Sequence, residues 1–218
     1  NPILRTESAA EKWWSKGHAT LVEGPTACDW YMMYHGYENG FHTLGRQTLL
    51  APIEWTADGW FKAKPFDAGK PITKPAGGQV VPHGLALSDD FSRNKFGLQW
   101  SFFKAGANER ERLNYRDGLL ELTAKGDSPA NSSPMSFLAG DQHYQFEVDI
   151  DVDAGGQAGA LLFYNDKLYA GLGVSRRGLQ LHRYGMDQRW SPLPEGMQGN
   201  SLRLRLSNKR HVLTLHTS

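Results

Sequence analysis

The clearest pattern in the chain is a strict alternation of apolar and polar residues over 144–153. The apolar positions of this stretch are Tyr144, Phe146, Val148, Ile150 and Val152. Successive side chains of a β-strand point to opposite faces, so these five share one face and the polar residues share the other. The alternation predicts an antiparallel strand with one face on a core and one in water.

Shorter stretches of the same kind recur through the second half of the chain. They cover residues 119–125, 160–164, 169–175, 179–184, 202–206 and 212–218. Turn residues separate them, and helical periodicity is nearly absent. This pattern is typical of a two-sheet antiparallel β-sandwich of jelly-roll type. Only residues 8–15 are expected to form a helical turn.

The first part of the chain predicts three further strands, at 19–23, 30–35 and 43–50. The middle strand is apolar or aromatic on both faces, which indicates burial on both sides. Three successive antiparallel strands of this length are typical of one blade of a β-propeller or of a meander in a sandwich.

A proline- and glycine-rich segment separates these two regions. Five dipeptides that contain proline or glycine follow one another closely, namely Lys64-Pro65, Lys70-Pro71, Lys74-Pro75, Gly77-Gly78 and Val81-Pro82. Proline removes backbone donors and restricts the residue before it, so an extended linker is predicted. The sequence thus predicts an incomplete first domain at 1–62, a linker at 63–84 and a sandwich at 85–218.

Composition narrows the classes of function. The 218 residues carry 24 Lys and Arg against 23 Asp and Glu, a net charge of +1, which argues against nucleic-acid or membrane partners held by charge. No apolar run approaches the roughly 18 residues of a membrane-spanning helix. The single cysteine, Cys28, excludes an intrachain disulfide framework. Aromatic residues make up 11% of the chain and suit contacts with sugar rings, although most are expected in the core.

Common catalytic motifs are missing from the sequence. It has no glycine-rich phosphate loop and no Gly-x-Ser-x-Gly elbow. The eight histidines do not pair at the spacing of zinc ligands; they are His18, His35, His42, His83, His143, His182, His211 and His216.

Five motifs follow one another in the first part of the chain. They are Gly-His-Ala-Thr-Leu-Val at 17–22, the aromatic strand 30–35, Leu-Gly-Arg-Gln-Thr at 44–48, Pro-Ile-Glu-Trp at 52–55 and Asp-Gly-Trp at 58–60. This order resembles the closing blade of the five-bladed β-propeller in glycoside hydrolase family 43, which includes β-xylosidases and α-arabinofuranosidases.

The rest of the chain resembles the concanavalin-A-like β-sandwich at the C-terminus of that family. The matching segments are 87–92, 98–100, 132–134, 158–165 and 170–173. The resemblance implies an all-β protein: the last propeller blade, followed by the sandwich. The chain begins with Asn1 in place of Met, and its last predicted strand, 212–218, ends without a turn or tail, which suggests a fragment truncated at both ends, with processing as the main alternative.

The resemblance implies an inverting mechanism with two carboxylates, one activating water and one protonating the leaving oxygen. In the family these carboxylates precede the Gly-His motif, so no catalytic residue is assigned to this chain, which is expected to be inactive alone. The acidic residues Glu23, Glu38 and Glu54 do not fall on the family's catalytic positions.

Three residues are candidates for binding. By resemblance, His18 lies at the floor of the substrate pocket, near a hydrated cation, often calcium, whose shell water completes. Arg46 matches the arginine that bonds sugar hydroxyls, and its fork of donors suits adjacent oxygens. Asp90 begins the sandwich and is a candidate ligand of a structural calcium; a simple turn aspartate is an equal alternative. No cofactor is required for the chemistry.

The expected partners are a xylose- or arabinose-containing oligosaccharide or plant polysaccharide and the remaining propeller blades of the same protein. One alternative is a lectin-like carbohydrate-binding module without catalysis. Another is a β protein for interaction or structure that has no affinity for sugars. The sequence leaves the compartment open between an exported or periplasmic and a cytoplasmic location.

Overall fold

A computed structural model describes residues 2–77, 79, 86–153, 155–185, 187–193 and 201–218, without the side chains of 187 and 188. The chain divides into two compact units, residues 1–83 and 84–218. Strands dominate both units. Helical structure in the described ranges comprises two short 3-10 helices, His42–Leu44 and Glu109–Arg112. No helix in these ranges has the length and apolar character needed to cross a membrane.

The first unit is a four-stranded antiparallel meander. Its strands lie side by side in chain order and are β1 (Trp13–Glu23), β2 (Trp30–Glu38), β3 (Arg46–Trp55) and β4 (Phe61–Ala63). The 3-10 helix His42–Leu44 lies in the connection from β2 to β3. The three strands predicted in this region are confirmed, and β4 is added at the end.

One face of this sheet carries the core of the first unit. Met32 and Tyr34 of β2 are buried against Ala51 and Ile53 of β3. The opposite face is open in this chain, and Met33 is 38% exposed there. The prediction that β2 is buried on both faces is therefore wrong within the described residues, which supply a packing partner for one face of the strand.

The expected helical turn at 8–15 is wrong. The Glu11 carboxylate accepts hydrogen bonds from the backbone N–H groups of Glu7 and Ser8 at 2.6 and 3.1 Å and closes a turn there. From Trp13 onward the chain is already in β1 and pairs with the end of β2, so β1 begins earlier than the predicted 19–23. Cross-strand pairing has overridden the weak helical preference of this segment.

Eleven strands are described in the second unit. They are β5 (Ser101–Phe102), β6 (Leu113–Arg116), β7 (Leu119–Leu122), β8 (Met135–Ser136), β9 (His143–Asp151), β10 (Ala158–Asn165), β11 (Leu168–Ser175), β12 (Gly178–Arg183), β13 (Asp187–Ser191), β14 (Ser201–Lys209) and β15 (Val212–Thr217). One antiparallel sheet has the order β10-β11-β12-β13 and another has the order β15-β14-β9. Two-stranded sheets join β5 to β8 and β6 to β7.

The two larger sheets of the second unit share one hydrophobic core. Ala160 and Val174 belong to one sheet, Leu202 and Leu204 belong to the other, and Val152 directly follows β9. Burial alternates along β9 as predicted, with the apolar side chains facing inward. The predicted two-sheet antiparallel sandwich is confirmed, and every strand predicted for it is present.

A buried ion network holds the 3-10 helix Glu109–Arg112 against its neighbours. The Glu109 carboxylate receives Arg112 Nη1 at 2.7 Å and the ammonium of Lys125. Arg112 also donates to the backbone oxygens of Ser132 and Ser133 at 3.1 and 3.2 Å. Hydrogen bonds from Lys125 and then from Arg112 lower the pKa of Glu109 to about 2.

This network predicts an acid-labile contribution to stability. The pKa of Glu109 is lower in the folded chain than its ordinary value of 4.5, so the contribution is present above pH 4.5 and is lost as the pH falls toward about 2. Urea unfolding of the wild type and of Glu109→Gln between pH 7 and pH 2 should show a stability difference that shrinks over this window. Glu121→Gln, at a half-exposed pair with Arg116, is the control. A difference that does not change with pH would contradict the assignment.

Candidate functional site

Arg46 is placed by a turn that requires a glycine. Gly45 follows the 3-10 helix with a φ of +75°, a left-handed conformation that glycine adopts without steric cost. Its N–H donates to the His42 oxygen at 3.0 Å, and Gln47 Nε2 donates to the Leu44 oxygen at 3.0 Å. Arg46 then begins β3. The Leu-Gly-Arg-Gln motif is thus a turn that fixes the backbone of Arg46.

The Arg46 side chain lies on an aromatic neighbour. Its Nε donates a hydrogen bond to Tyr37 Oη at 3.3 Å, and its guanidinium carbon is 5.9 Å from the Tyr37 ring centroid. The two residues are cross-strand partners of β2 and β3. Arg46 remains exposed in this chain, so its other donors can reach a ligand.

His18 lies in the middle of β1, not at the start of a strand as the predicted range 19–23 implied. The β1–β2 register shifts between Gly17 and Thr20, and His18 is in this irregularity with a φ of +51°. Its ring centroid is 5.7 Å from that of His35. A β-bulge of this kind re-aims a side chain, and His18 is exposed as a result.

The side chains of His18 and Arg46 lie on the same face of the sheet. The His18 ring centroid lies 5.7 Å from the His35 ring centroid, and Arg46 contacts its cross-strand partner Tyr37. His35 and Tyr37 are two residues apart on β2, so their side chains lie on one face. This is the open face, opposite the core of the first unit. Sequence reasoning did not single out Tyr37 or His35, although both occur within or just after the quoted aromatic strand.

Two of the acidic residues noted in the sequence, Glu54 and Glu38, each lie near a lysine of the first unit. The Glu54 carboxylate is 2.8 Å from the Lys62 ammonium, and the hydrogen bond from Lys62 and then its charge lower the pKa of Glu54. The Glu38 carboxylate lies 3.8 Å from the Lys12 ammonium. The prediction that Glu23, Glu38 and Glu54 are not catalytic remains a prediction.

Asp90 is engaged locally. Its Oδ1 accepts hydrogen bonds from the N–H of Ser92 at 3.0 Å and from the Ser92 hydroxyl at 2.7 Å, and these bonds lower its pKa. The preceding residue, Asp89, is the buried carboxylate, bonded by Trp100 Nε1 at 2.8 Å and paired with Lys95 at 3.1 Å. Burial alone would raise the pKa of Asp89, but these partners lower it.

The residues present fit a cation only through water. Within the ranges that the structure describes, no three residues of the His, Cys, Asp and Glu types are grouped to hold a metal ion. His83 lies outside the described residues. The exposed imidazole of His18 could accept a hydrogen bond from a water on a hydrated cation, and calcium would take its remaining ligands as oxygens from elsewhere.

The backbone of His18 allows its fold and site roles to be separated. A non-glycine residue in the left-handed region raises the free energy of the folded state by about 1–2 kcal/mol. Glycine in its place avoids this strain, but its greater freedom stabilises the unfolded state by about 0.4–1 kcal/mol. We therefore expect His18→Gly to keep the wild-type free energy of unfolding or to raise it slightly, and His18→Ala to lower it relative to His18→Gly. Urea unfolding of both variants checks this. A large loss of stability in His18→Gly would show that the imidazole itself holds the bulge.

Two family sequence patterns match this chain in succession. Glycosyl hydrolases family 43 matches residues 1–61, and the beta xylosidase C-terminal concanavalin A-like domain matches residues 88–214, more than half of the chain.

Curated relatives have sequences similar to this chain. A non-reducing end alpha-L-arabinofuranosidase from Bacteroides ovatus is 29% identical over 143 residues, which is 63% of this chain and 27% of the relative. A beta-xylosidase from Formosa agariphila is 30% identical over 117 residues, 50% of this chain and 19% of that protein. The chain spans less than a third of the length of either relative.

Solved structures share the fold. A GH43 protein from Bacillus licheniformis matches with a TM-score of 0.79 at 24% identity, and a xylan beta-1,4-xylosidase from Bacillus halodurans with a TM-score of 0.80 at 20% identity. Both matches cover 100% of this chain and 45% of the solved chain. From the two consecutive family matches, the chain belongs to glycosyl hydrolases family 43 and carries the family's beta-xylosidase C-terminal concanavalin A-like domain.

Proposed function

We propose that this chain is the C-terminal part of a glycoside hydrolase that cleaves xylose- or arabinose-containing glycans. The observation that carries the proposal is the succession of a family 43 match and a C-terminal-domain match along one chain. The named activities of the relatives, α-L-arabinofuranosidase and β-xylosidase, support the substrate class.

In this proposal the first domain, residues 1–62, is the closing blade of a β-propeller. Residues 63–84 are a linker, of which 78 and 80–84 lie outside the described residues, and 85–218 form the sandwich. The open face of the first sheet supports the proposal, because exposed apolar side chains such as Met33 and Val22 would be covered by neighbouring blades.

The proposed division of labour assigns binding to this chain and acid–base chemistry to carboxylates that precede it. An inverting glycosidase holds two carboxyl groups roughly 6.5–9.5 Å apart, with water between one of them and the sugar. Arg46 would donate to sugar hydroxyls. His18 would bond the water beneath the sugar and, where a cation is bound, a water of its shell. The cation would supply a fixed positive charge near the acidic groups.

A structural calcium at Asp90 is a separate part of the proposal. The carboxylate is exposed, and its Oδ1 already accepts two hydrogen bonds from Ser92. Its second oxygen is the atom that would meet calcium.

The experiment compares this 218-residue chain with a protein that extends upstream of Asn1. Both are assayed on nitrophenyl β-xylopyranoside and nitrophenyl α-arabinofuranoside, and NMR follows the anomer that is released first. We expect turnover with inversion from the longer protein and none from the shorter chain, whose folding is checked by circular dichroism.

Two outcomes would contradict the proposal. Turnover by the 218-residue chain, abolished by Glu23→Gln, Glu38→Gln or Glu54→Gln, would place the catalytic site within it. Binding of xylo-oligosaccharide by the longer protein without any hydrolysis would favour the lectin-like carbohydrate-binding module.

A further inference from the structure

We propose that Tyr37 is a positioning residue that holds the Arg46 guanidinium in the orientation in which it meets the sugar. The inference rests on the proposed function, because it assigns Arg46 to substrate binding. Tyr37 itself need not touch the substrate.

The side chains of Tyr37 and Arg46 contact each other in two ways. Tyr37 accepts the Arg46 Nε hydrogen bond at 3.3 Å, and the guanidinium carbon is 5.9 Å from the ring centroid. An exposed arginine otherwise samples many rotamers, and its side chain loses this conformational entropy when a ligand binds. One hydrogen bond together with a cation–π contact restricts the guanidinium before the sugar arrives.

The contact with Tyr37 determines which donors of Arg46 remain for the sugar. A guanidinium has five N–H donors in a fixed planar fork. Tyr37 takes the one on Nε, which leaves the four on the two Nη atoms. This edge can bond two adjacent hydroxyl oxygens at once. Tyr37 therefore selects the edge of Arg46 that the ligand meets, which a randomly oriented arginine would not do.

Tyr37 is itself held in place by neighbouring rings. Its ring centroid is 5.9 Å from that of His42, and the His42 ring is 5.7 Å from that of Trp14. Trp14 is the cross-strand partner of Tyr37 on β1, and its Nε1 donates to the Glu11 oxygen at 3.0 Å. A row of rings thus runs from a hydrogen-bonded tryptophan to the arginine, so the orientation of Arg46 is set by packing within the sheet.

The test is a double-mutant cycle in the protein that includes the upstream residues. Tyr37→Leu, Tyr37→Phe, Arg46→Ala and the combination of Tyr37→Leu with Arg46→Ala are assayed for kcat and KM on nitrophenyl β-xylopyranoside and nitrophenyl α-arabinofuranoside. We expect Tyr37→Leu to lower kcat/KM about tenfold when Arg46 is present and less than about twofold when it is absent, since contacting residues couple. Tyr37→Phe keeps the ring and should restore part of the loss.

Tyr31→Leu is the matched control. Tyr31 lies on the same strand and the same face as Tyr37, but its cross-strand partner is Pro52. We expect this variant to change kcat/KM less than about twofold. Thermal unfolding of every variant shows whether a loss of activity follows a loss of fold, and Tyr37→Phe covers the case in which Tyr37→Leu does not fold.

The outcomes separate the inference from the proposed function. If Arg46→Ala leaves kcat/KM unchanged, the binding role of Arg46 fails, and the role of Tyr37 fails with it. If Arg46→Ala lowers kcat/KM but the loss from Tyr37→Leu is the same in both backgrounds, only the positioning role is overturned. A Tyr37→Phe variant as impaired as Tyr37→Leu supports the hydrogen bond alone and overturns the contribution of the ring.

Discussion

Replacing Leu204 by alanine is expected to lower the free energy of unfolding of the second unit by about 2–5 kcal/mol. Leu204 is 1% exposed and lies on the central strand of the β15-β14-β9 sheet. It belongs to the core that the two sheets share. Truncation removes buried apolar surface and also leaves a cavity that close-packed neighbours on both sheets fill only in part.

Urea unfolding followed by circular dichroism measures this effect. The matched control is Leu138→Ala, the same chemical change at a side chain that is 91% exposed and outside the strands, for which we expect a change within about 0.5 kcal/mol. Equal losses from the two variants would show that the face assigned to Leu204 from the alternation of β14 does not carry the core.

The sandwich was predictable because its long strands each have one face on the core. On β9 and β14 the burial of successive residues alternates, so hydrophobic periodicity alone reveals both the strand and its inner face. β13 was not predicted, since its sequence Asp-Gln-Arg-Trp-Ser has no apolar alternation and its strand conformation comes from pairing with β12. The two-residue strands β5 and β8 likewise owe their strand conformation to pairing with each other.

The candidate site was predictable only in part. His18 and Arg46 were found because they belong to motifs whose order resembles a known family. The contact between Arg46 and Tyr37 depends on the register of β2 and β3, which the length and shape of the intervening turn determine. The left-handed backbone of His18 depends on a bulge, and the sequence carries no signal for a non-glycine residue in that conformation.

In the proposed longer protein that extends upstream of Asn1, Arg46→Ala is expected to lower kcat/KM about tenfold to a hundredfold. A hydrogen bond to a charged group contributes roughly 1.5–3 kcal/mol, and the proposed role gives Arg46 such a bond to the sugar. The substitution should leave the fold intact, because Arg46 is exposed in this chain and, within the described residues, its side chain makes a hydrogen bond and a cation–π contact with Tyr37. Kinetics on nitrophenyl β-xylopyranoside and nitrophenyl α-arabinofuranoside, with thermal unfolding alongside, measure both quantities.

Two further variants decide whether the loss is specific to the site. Arg203 is an exposed arginine paired with Asp149 at 2.6 and 2.7 Å on the polar face of β14, so Arg203→Ala removes an equal charge from a residue outside the candidate site and should change kcat/KM less than about twofold. Arg46→Lys keeps the charge but loses the fork of donors, and it should recover little of the activity if the guanidinium bonds two hydroxyls at once. Full activity in Arg46→Lys would mean that Arg46 acts through its charge, whereas an equal loss in Arg203→Ala would remove the argument for a binding role at this position.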